Sequence, residues 1–164
     1  MASGWHGRLP SLGPRGEGWV AGQAILLTAI LVVGVTAGSS WDGWPAALTA
    51  IAGLALTVGA AALLLRGLLD LGGSLTPWPR PRAGSELVVT GAYALVRHPL
   101  YGGLVLGALG WSLLMASLAG LGLAVALTAF LDLKARREEG WLAERYPGYA
   151  AYATSTRRLI PWVY

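Results

Sequence analysis

A chain of 164 residues with 55% hydrophobic and only 12% charged side chains is too apolar for a soluble globular domain, and its length is that of one domain. The absence of cysteine removes disulfides, thiolate catalysis and cysteine-ligated metal, and two histidines are too few for a His-rich metal centre. A net charge of +4 raises the question of nucleic acid, but its placement between apolar runs marks membrane orientation instead, so no nucleic-acid partner is expected.

Residues 1–18 are rich in Gly and Pro and read as a flexible tail that includes His6. The first apolar run is Trp19 to Gly38. Val35-Thr36-Ala37 resembles a signal-peptide cleavage site, but the run is long for a signal core and the chain returns to the membrane, which favours a retained helix. A short polar turn, Ser39 to Pro45, leads to a second run from Ala46 to about Leu69. Within it, Ala55 and Gly59 form a small-residue pair suited to close helix packing. Residues 19–69 are therefore expected to be two transmembrane helices.

The pattern breaks at 70–98. Leu71 to Arg82 is a Pro-rich loop, and Glu86 to Thr90 a short extended apolar patch. The stretch that follows, Gly91 to Gly103 (GAYALVRHPLYGG), places polar side chains at a membrane boundary. Pro99 suits the first turn of a helix and pushes His98 into an extended conformation just outside it, with Tyr101 inside the first turn. Arg97 is costly near hydrocarbon, so it must be paired or face an aqueous pocket. The helix start is a natural seat for an anion, although an interfacial anchor of Arg, His and Tyr is the plainer reading.

Leu100 to Leu133 is almost wholly apolar and would run about 51 Å as one helix, well beyond a ~30 Å hydrocarbon slab. A hairpin of two short helices over 99–133, turning near Ser117 to Gly120, fits better. Gly103 and Gly107 give its first arm a tight packing face. The last helix then leaves the membrane through Lys134-Ala-Arg-Arg-Glu-Glu139, continues to about Tyr146 and breaks at Pro147-Gly148. With the N-terminus inside, all 12 Lys and Arg residues fall on the inside or at the inner end of a span. Trp41 and Trp44 would mark the outer interface, and Trp19, Trp78, Trp141 and Trp162 the inner one. The expected fold is an all-α polytopic membrane protein with about four transmembrane helices and a C-terminal cytoplasmic helical segment. Residues 70–164 form its functional core.

On a continuing helix Lys134 and Glu138 share a face, and the hairpin returns residues 134–139 to the side of residues 97–102. Taken alone, the KARREE run is more simply a solvated basic patch. Asp132 either pairs with an Arg or meets the pocket, and Tyr149, Tyr152 and Trp162 read as packing residues.

The series Leu87-Val-Val-Thr-Gly-Ala-Tyr93, Arg97-His-Pro-Leu-Tyr-Gly102, Glu138-Glu139, Tyr149-Ala-Ala-Tyr152 and Arg158-Leu-Ile-Pro161 resembles the isoprenylcysteine carboxyl methyltransferase family and the related phospholipid methyltransferases. The likeness covers about Leu71 to Pro161. It implies an integral-membrane enzyme of the cell membrane whose site faces the cytoplasm and takes S-adenosylmethionine. The implied cofactor contacts are Ser85, Glu86, Leu87, Val88, Tyr93, His98, Pro99, Leu100, Tyr101 and Glu138, with Glu139 beside them. The family's substrate-carboxylate position is Lys134 here, where an Arg is usual. Lys cannot grip a carboxylate bidentately, so Arg136 or Arg137 takes that role, with Arg97 nearby, or the substrate is not a carboxylate.

The acceptor implied is lipid-linked or prenylated, or a membrane lipid, and the reaction most like isoprenylcysteine carboxyl O-methylation. Phospholipid N-methylation is the alternative, and would want Glu139 or His98 as a base. A non-catalytic membrane binding protein and a nicotinamide-dependent membrane reductase are the other readings. No GxGxxG follows a strand, so no Rossmann cofactor site is expected. The oligomeric state is not legible.

Overall fold

The computed structural model describes residues 9–38 and 43–160, which form helices and connecting segments with no strand among them. Apolar side chains run round the whole of α1 (Glu17–Thr36) and α2 (Trp44–Leu71). Ile25, Val35, Ile51, Leu54 and Val58 stand exposed on their outer faces. Helices apolar all round with bare outer faces suit lipid, not water. Together with α5 (Leu118–Arg145), these are the helices long and apolar enough to cross a membrane among the described residues. A fourth apolar helix, α4 (Pro99–Leu114), has 16 residues, about 24 Å by helical rise and short of the slab. Two short helices, α3 (Ala92–Leu95) and α6 (Tyr149–Ser155), complete the set.

The expected all-α polytopic membrane fold is therefore present, with unequal hairpin arms: α4 is short, while α5 runs unbroken from the turn through Lys134 to Arg145. Pro99 opens α4, and His98 precedes it in a non-helical conformation (φ −127, ψ 65). The turn lies at Met115–Ser117, just ahead of the expected position. Ala116 takes a left-handed φ of 49, and buried Ser117 caps α5 by accepting from Gly120 N at 3.0 Å. α5 ends at Tyr146, ahead of Pro147.

α4 is the centre of the bundle. α2 packs along it, α1 packs on α5 and α4, and α1 and α2 stay apart. Ile30, Ala108, Ala124, Leu127 and Leu131 form the core between α1, α4 and α5. The seam between α2 and α4 is not the expected Ala55 and Gly59 pair. Both of those are exposed, and nothing lies within 4 Å of a Cβ built on Gly59. The contact runs instead through Gly53, Thr57, Ala60, Leu64 and Gly67, a 4-3-4-3 spacing that keeps one face toward α4. A small-xxx-small pair predicts close approach only when its face is the one turned to a partner. On α4, Gly103 sits against Leu64 and Ala60 as expected, and Gly107 against Ala60.

A Cβ on Gly110 would lie 2.6 Å from Thr57 Oγ1, 2.8 Å from Gly53 O and 2.9 Å from Thr57 N, so backbone must move to admit it. Gly110→Ala is expected to lower stability by about 1–3 kcal/mol in thermal unfolding in detergent. Gly59→Ala, in open space, should be neutral or slightly stabilising through helix propensity.

Residues 9–16, part of the segment expected as a flexible tail, are tied down. Trp19 Nε1 donates to Pro10 O, Gly18 N to Leu12 O, and Arg80 donates to Pro14 O and Arg15 O. The remainder of that tail, the turn at 39–42 with Trp41, the Trp44 side chain and Trp162 lie outside the described residues.

Candidate active site

The site is built where two separated parts of the chain meet. Extended backbone at 96–98 pairs with the returning C-terminal segment: Arg97 N donates to Arg157 O at 2.8 Å and His98 N to Arg158 O at 3.0 Å. That pairing delivers Arg158 to α5, where it forks onto Glu139 with Nε to Oε1 and Nη2 to Oε2, both 3.0 Å. Arg97 Nε donates to the same Glu139 Oε1 at 2.9 Å, and its Nη1 to Ala153 O and Thr156 O. Arg158 also reaches Asp132 at 3.0 Å, and Asp132 in turn holds Arg136 at 2.7 Å. This buried network fastens α5, the 96–98 segment and the C-terminal segment into one block. Asp132 is thus paired, one of the two roles open to it.

Beside the block is a cavity of about 320 Å³, within the range of small-molecule sites. α4 contributes Leu100, Tyr101 and Leu104, α5 contributes Lys134, Glu138 and Leu142, and α2 contributes Leu64 and Leu68. Thr76 to Pro79, Pro81 and the run Ser85–Val88 form the loop side. That loop is held by Tyr146, whose hydroxyl donates to Ser85 O at 2.9 Å and lies 2.8 Å from Ser85 Oγ. Ser74 Oγ bridges to Glu86 from the far end of the loop. Gly91 (φ 61) lets the chain turn into α3, where Asp70 accepts from Ala92 N at 2.7 Å.

The polar groups converge at the junction of α4 and α5. Tyr101 donates its hydroxyl to Glu138 Oε2 at 2.5 Å, and its ring stacks on His98 with centroids 5.2 Å apart and planes 2° from parallel. Lys134 Nζ stands 4.8 Å from the Tyr101 ring centroid, near the aromatic face. It also donates to Gln23 Oε1 of α1 at 2.6 Å. On the other side Tyr93 lines the cavity, and its carbonyl accepts from Tyr152 Oη at 2.6 Å.

Burial and the nearby Glu138 push the Tyr93 phenol well up from its ordinary value, and burial pushes Tyr152 up to about 12. Both remain neutral donors throughout the physiological range. Tyr149 is likewise pushed up, chiefly by burial. Its hydroxyl is buried against the cavity and makes no hydrogen bond among the described residues.

The structure brings together around one cavity Ser85, Glu86, Leu87, Val88, Tyr93, Arg97, His98, Leu100, Tyr101, Lys134 and Glu138, all named from the sequence. Four named residues lie off that lining, one of them Arg137, whose guanidinium stands 4.4 Å from the Trp141 ring centroid. Pro99 is buried as the first residue of α4, Arg136 is bound to Asp132, and Glu139 serves the ion-pair block. Arg97 reaches the wall, but its guanidinium is committed to Glu139 and two carbonyls. The sequence reading missed Gln23 and Tyr149. An amide inside an apolar run was a usable signal for the first, since polar groups at that depth tend to have a partner or a task.

A carboxylate and neutral phenols beside an apolar wall form a donor set suited to S-adenosylmethionine. Glu138 is placed to accept from hydroxyls or an ammonium, the tyrosine rings offer faces to a cation or a purine, and Tyr149 Oη has a hydrogen bond to give. Among the described residues no cluster of three or more His, Cys, Asp or Glu could hold a metal ion.

Comparison with known proteins adds the family. A family model described as phospholipid methyltransferase matches residues 48–148, which span α2 through the start of the C-terminal segment. The cobalt-zinc-cadmium resistance protein CzcN of Cupriavidus metallidurans is 33% identical over 138 residues, covering 84% of this chain and 61% of that protein. The nickel-cobalt-cadmium resistance protein NccN of Alcaligenes xylosoxydans xylosoxydans is 30% identical over 144 residues, covering 84% of this chain and 62% of its own. The chain thus spans about three-fifths of the length of the curated relatives it matches.

Proposed function

This chain belongs to the phospholipid methyltransferase family, and on that premise we propose that it transfers a methyl group from S-adenosylmethionine to a hydrophobic or lipid-linked acceptor at the membrane surface. The observation that carries the reading is the Tyr101–Glu138 hydrogen bond. It joins the two polar clusters, 37 positions apart, on one cavity with the Ser85–Val88 loop across it.

When bound, S-adenosylmethionine supplies an electrophilic methyl group on a sulfonium. Glu138 and Tyr149 hold the polar parts of the nucleoside or amino-acid moiety, and Tyr93 and Tyr101 offer aromatic faces. Lys134 draws in an acceptor anion. The loop from Thr76 to Val88 and the leucines of α2 and α4 keep water out, which strengthens every charge contact inside. A carboxylate acceptor is already ionised at neutral pH and needs no base. An amine acceptor must lose a proton, and of the two bases it would want Glu139 is locked between Arg97 and Arg158, which leaves only His98 on the cavity lining to take it. That favours carboxylate O-methylation over phospholipid N-methylation. The concentration of Lys and Arg at one end of the spans supports a cavity that faces the cytoplasm.

The two relatives are named for metal resistance. On the methyltransferase reading, a part for this chain in metal tolerance would run through a methylated membrane component.

Calorimetry in detergent tests the reading. Micromolar binding of S-adenosylhomocysteine is expected, followed by methyl transfer to a farnesylcysteine analogue in preference to phosphatidylethanolamine. Lys134→Ala should weaken acceptor use at least tenfold more than it weakens S-adenosylhomocysteine. Binding of NADPH in place of S-adenosylhomocysteine would overturn the assignment.

A further inference from the structure

Of the two cations that line the cavity, Lys134 differs from Arg97. Arg97 and Arg158 are bound to Glu139, and Arg136 to Asp132. Lys134 is 4% exposed and lines the cavity, yet among the described residues it makes no ion pair with a carboxylate. Its direct partners are a neutral amide and an aromatic face: Gln23 Oε1 at 2.6 Å and the Tyr101 ring. Its direct contacts are neutral, so the ammonium has no contact ion pair, and the one carboxylate that acts on it, Glu138, does so across a turn of α5. Gln23 comes from α1, outside the stretch that the family model matches, and α1 approaches the site without touching α2. Glu138 lies one turn away on α5 and accepts the Tyr101 hydroxyl, so it offsets the Lys134 charge at a distance without a direct ion pair.

We propose that Gln23 is a positioning residue that holds the Lys134 ammonium at the cavity wall without a direct ion pair, so that the site prefers an acceptor with an anionic headgroup. This rests on the methyltransferase reading and refines its substrate class. An amide suits the task because it fixes the ammonium by one hydrogen bond without cancelling its charge. A carboxylate at position 23 would hold Lys134 more firmly and spend that charge. The headgroup chemistry shared by the candidates is a carboxylate or a phosphate monoester.

The contrast between Gln23→Glu and Gln23→Leu makes the proposal testable. The probes are N-acetyl-S-farnesylcysteine against its methyl ester, and phosphatidic acid against diacylglycerol, each titrated into full-length protein in detergent with and without S-adenosylhomocysteine. Wild type should bind at least one anionic probe about tenfold tighter than its neutral counterpart, and the pair that shows the difference identifies the headgroup. Both Gln23→Leu and Gln23→Glu should lose that preference while S-adenosylhomocysteine affinity stays within about twofold. If the preference does not run through a Lys134 charge held by Gln23, Gln23→Leu or Gln23→Glu would retain it, and either result overturns the proposal. Equal binding of anionic and neutral probes by wild type overturns it as well. Loss of S-adenosylhomocysteine binding by wild type itself would instead sink the methyltransferase reading, and the probe titrations without it would still decide the role of Gln23.

Discussion

Glu139→Ala is expected to lower the stability of the protein by about 3–5 kcal/mol, the usual range for removing one partner of a buried ion pair. Glu139 is 5% exposed and accepts from Arg97 and from both arms of the Arg158 fork. Its loss leaves two largely buried guanidinium groups facing a void, with Asp132 the remaining carboxylate on Arg158. The C-terminal segment is joined to residues 96–98 by an isolated bridge, two backbone hydrogen bonds and the Arg97 bonds to Ala153 O and Thr156 O, and the ion pairs with Glu139 fasten it to α5. Arg158→Ala should cost less, because Arg97 continues to satisfy Glu139. Thermal unfolding in detergent gives the ranking, and a Glu139→Ala protein as stable as wild type would remove Glu139 from the fastening role.

That role could not be read from the KARREE run. Glu138 and Glu139 are adjacent acids, separated by about 100° around the helix, and either could face the cavity. What decides between them is Arg158, which arrives from the far end of the chain and takes Glu139. The partner of Gln23 was illegible for the same reason, because Lys134 is 111 positions away, although the amide in an apolar run was itself a signal. Features set by local chemistry were legible. Pro99 opens α4 with His98 outside it, Tyr101 falls in the first turn, α5 continues past the apolar run to Arg145, and Gly103 packs tightly. The Ala55 and Gly59 pair shows the limit of such reasoning. Its spacing is right for packing, but the other face of α2, carrying Gly53 and Ala60, won the contact because it matches Gly110 and Gly103 on α4. Periodicity states that a face exists, and only the partner states which face is used.

Glu138→Ala is expected to leave stability nearly unchanged and to weaken S-adenosylhomocysteine about tenfold to a hundredfold. The side chain of Glu138 is 22% exposed, on the cavity side, and its short contact is to the Tyr101 hydroxyl, which cavity water can replace. A hydrogen bond to a charged group contributes about 1.5–3 kcal/mol, and 1.4 kcal/mol is tenfold in affinity, which sets the range. Tyr101→Phe separates the two partners. It keeps the ring that stacks on His98 and faces Lys134, and removes only the donor to Glu138. If Glu138 acts on the ligand directly, Tyr101→Phe should bind S-adenosylhomocysteine within about threefold of wild type. A loss in Tyr101→Phe as large as in Glu138→Ala would mean that the phenol, and not the carboxylate, makes the contact. The neighbouring acids thus predict opposite signatures: Glu139→Ala moves the melting temperature, and Glu138→Ala moves the binding isotherm. That division follows from one helix presenting successive residues to a packed interior on one side and a ligand cavity on the other.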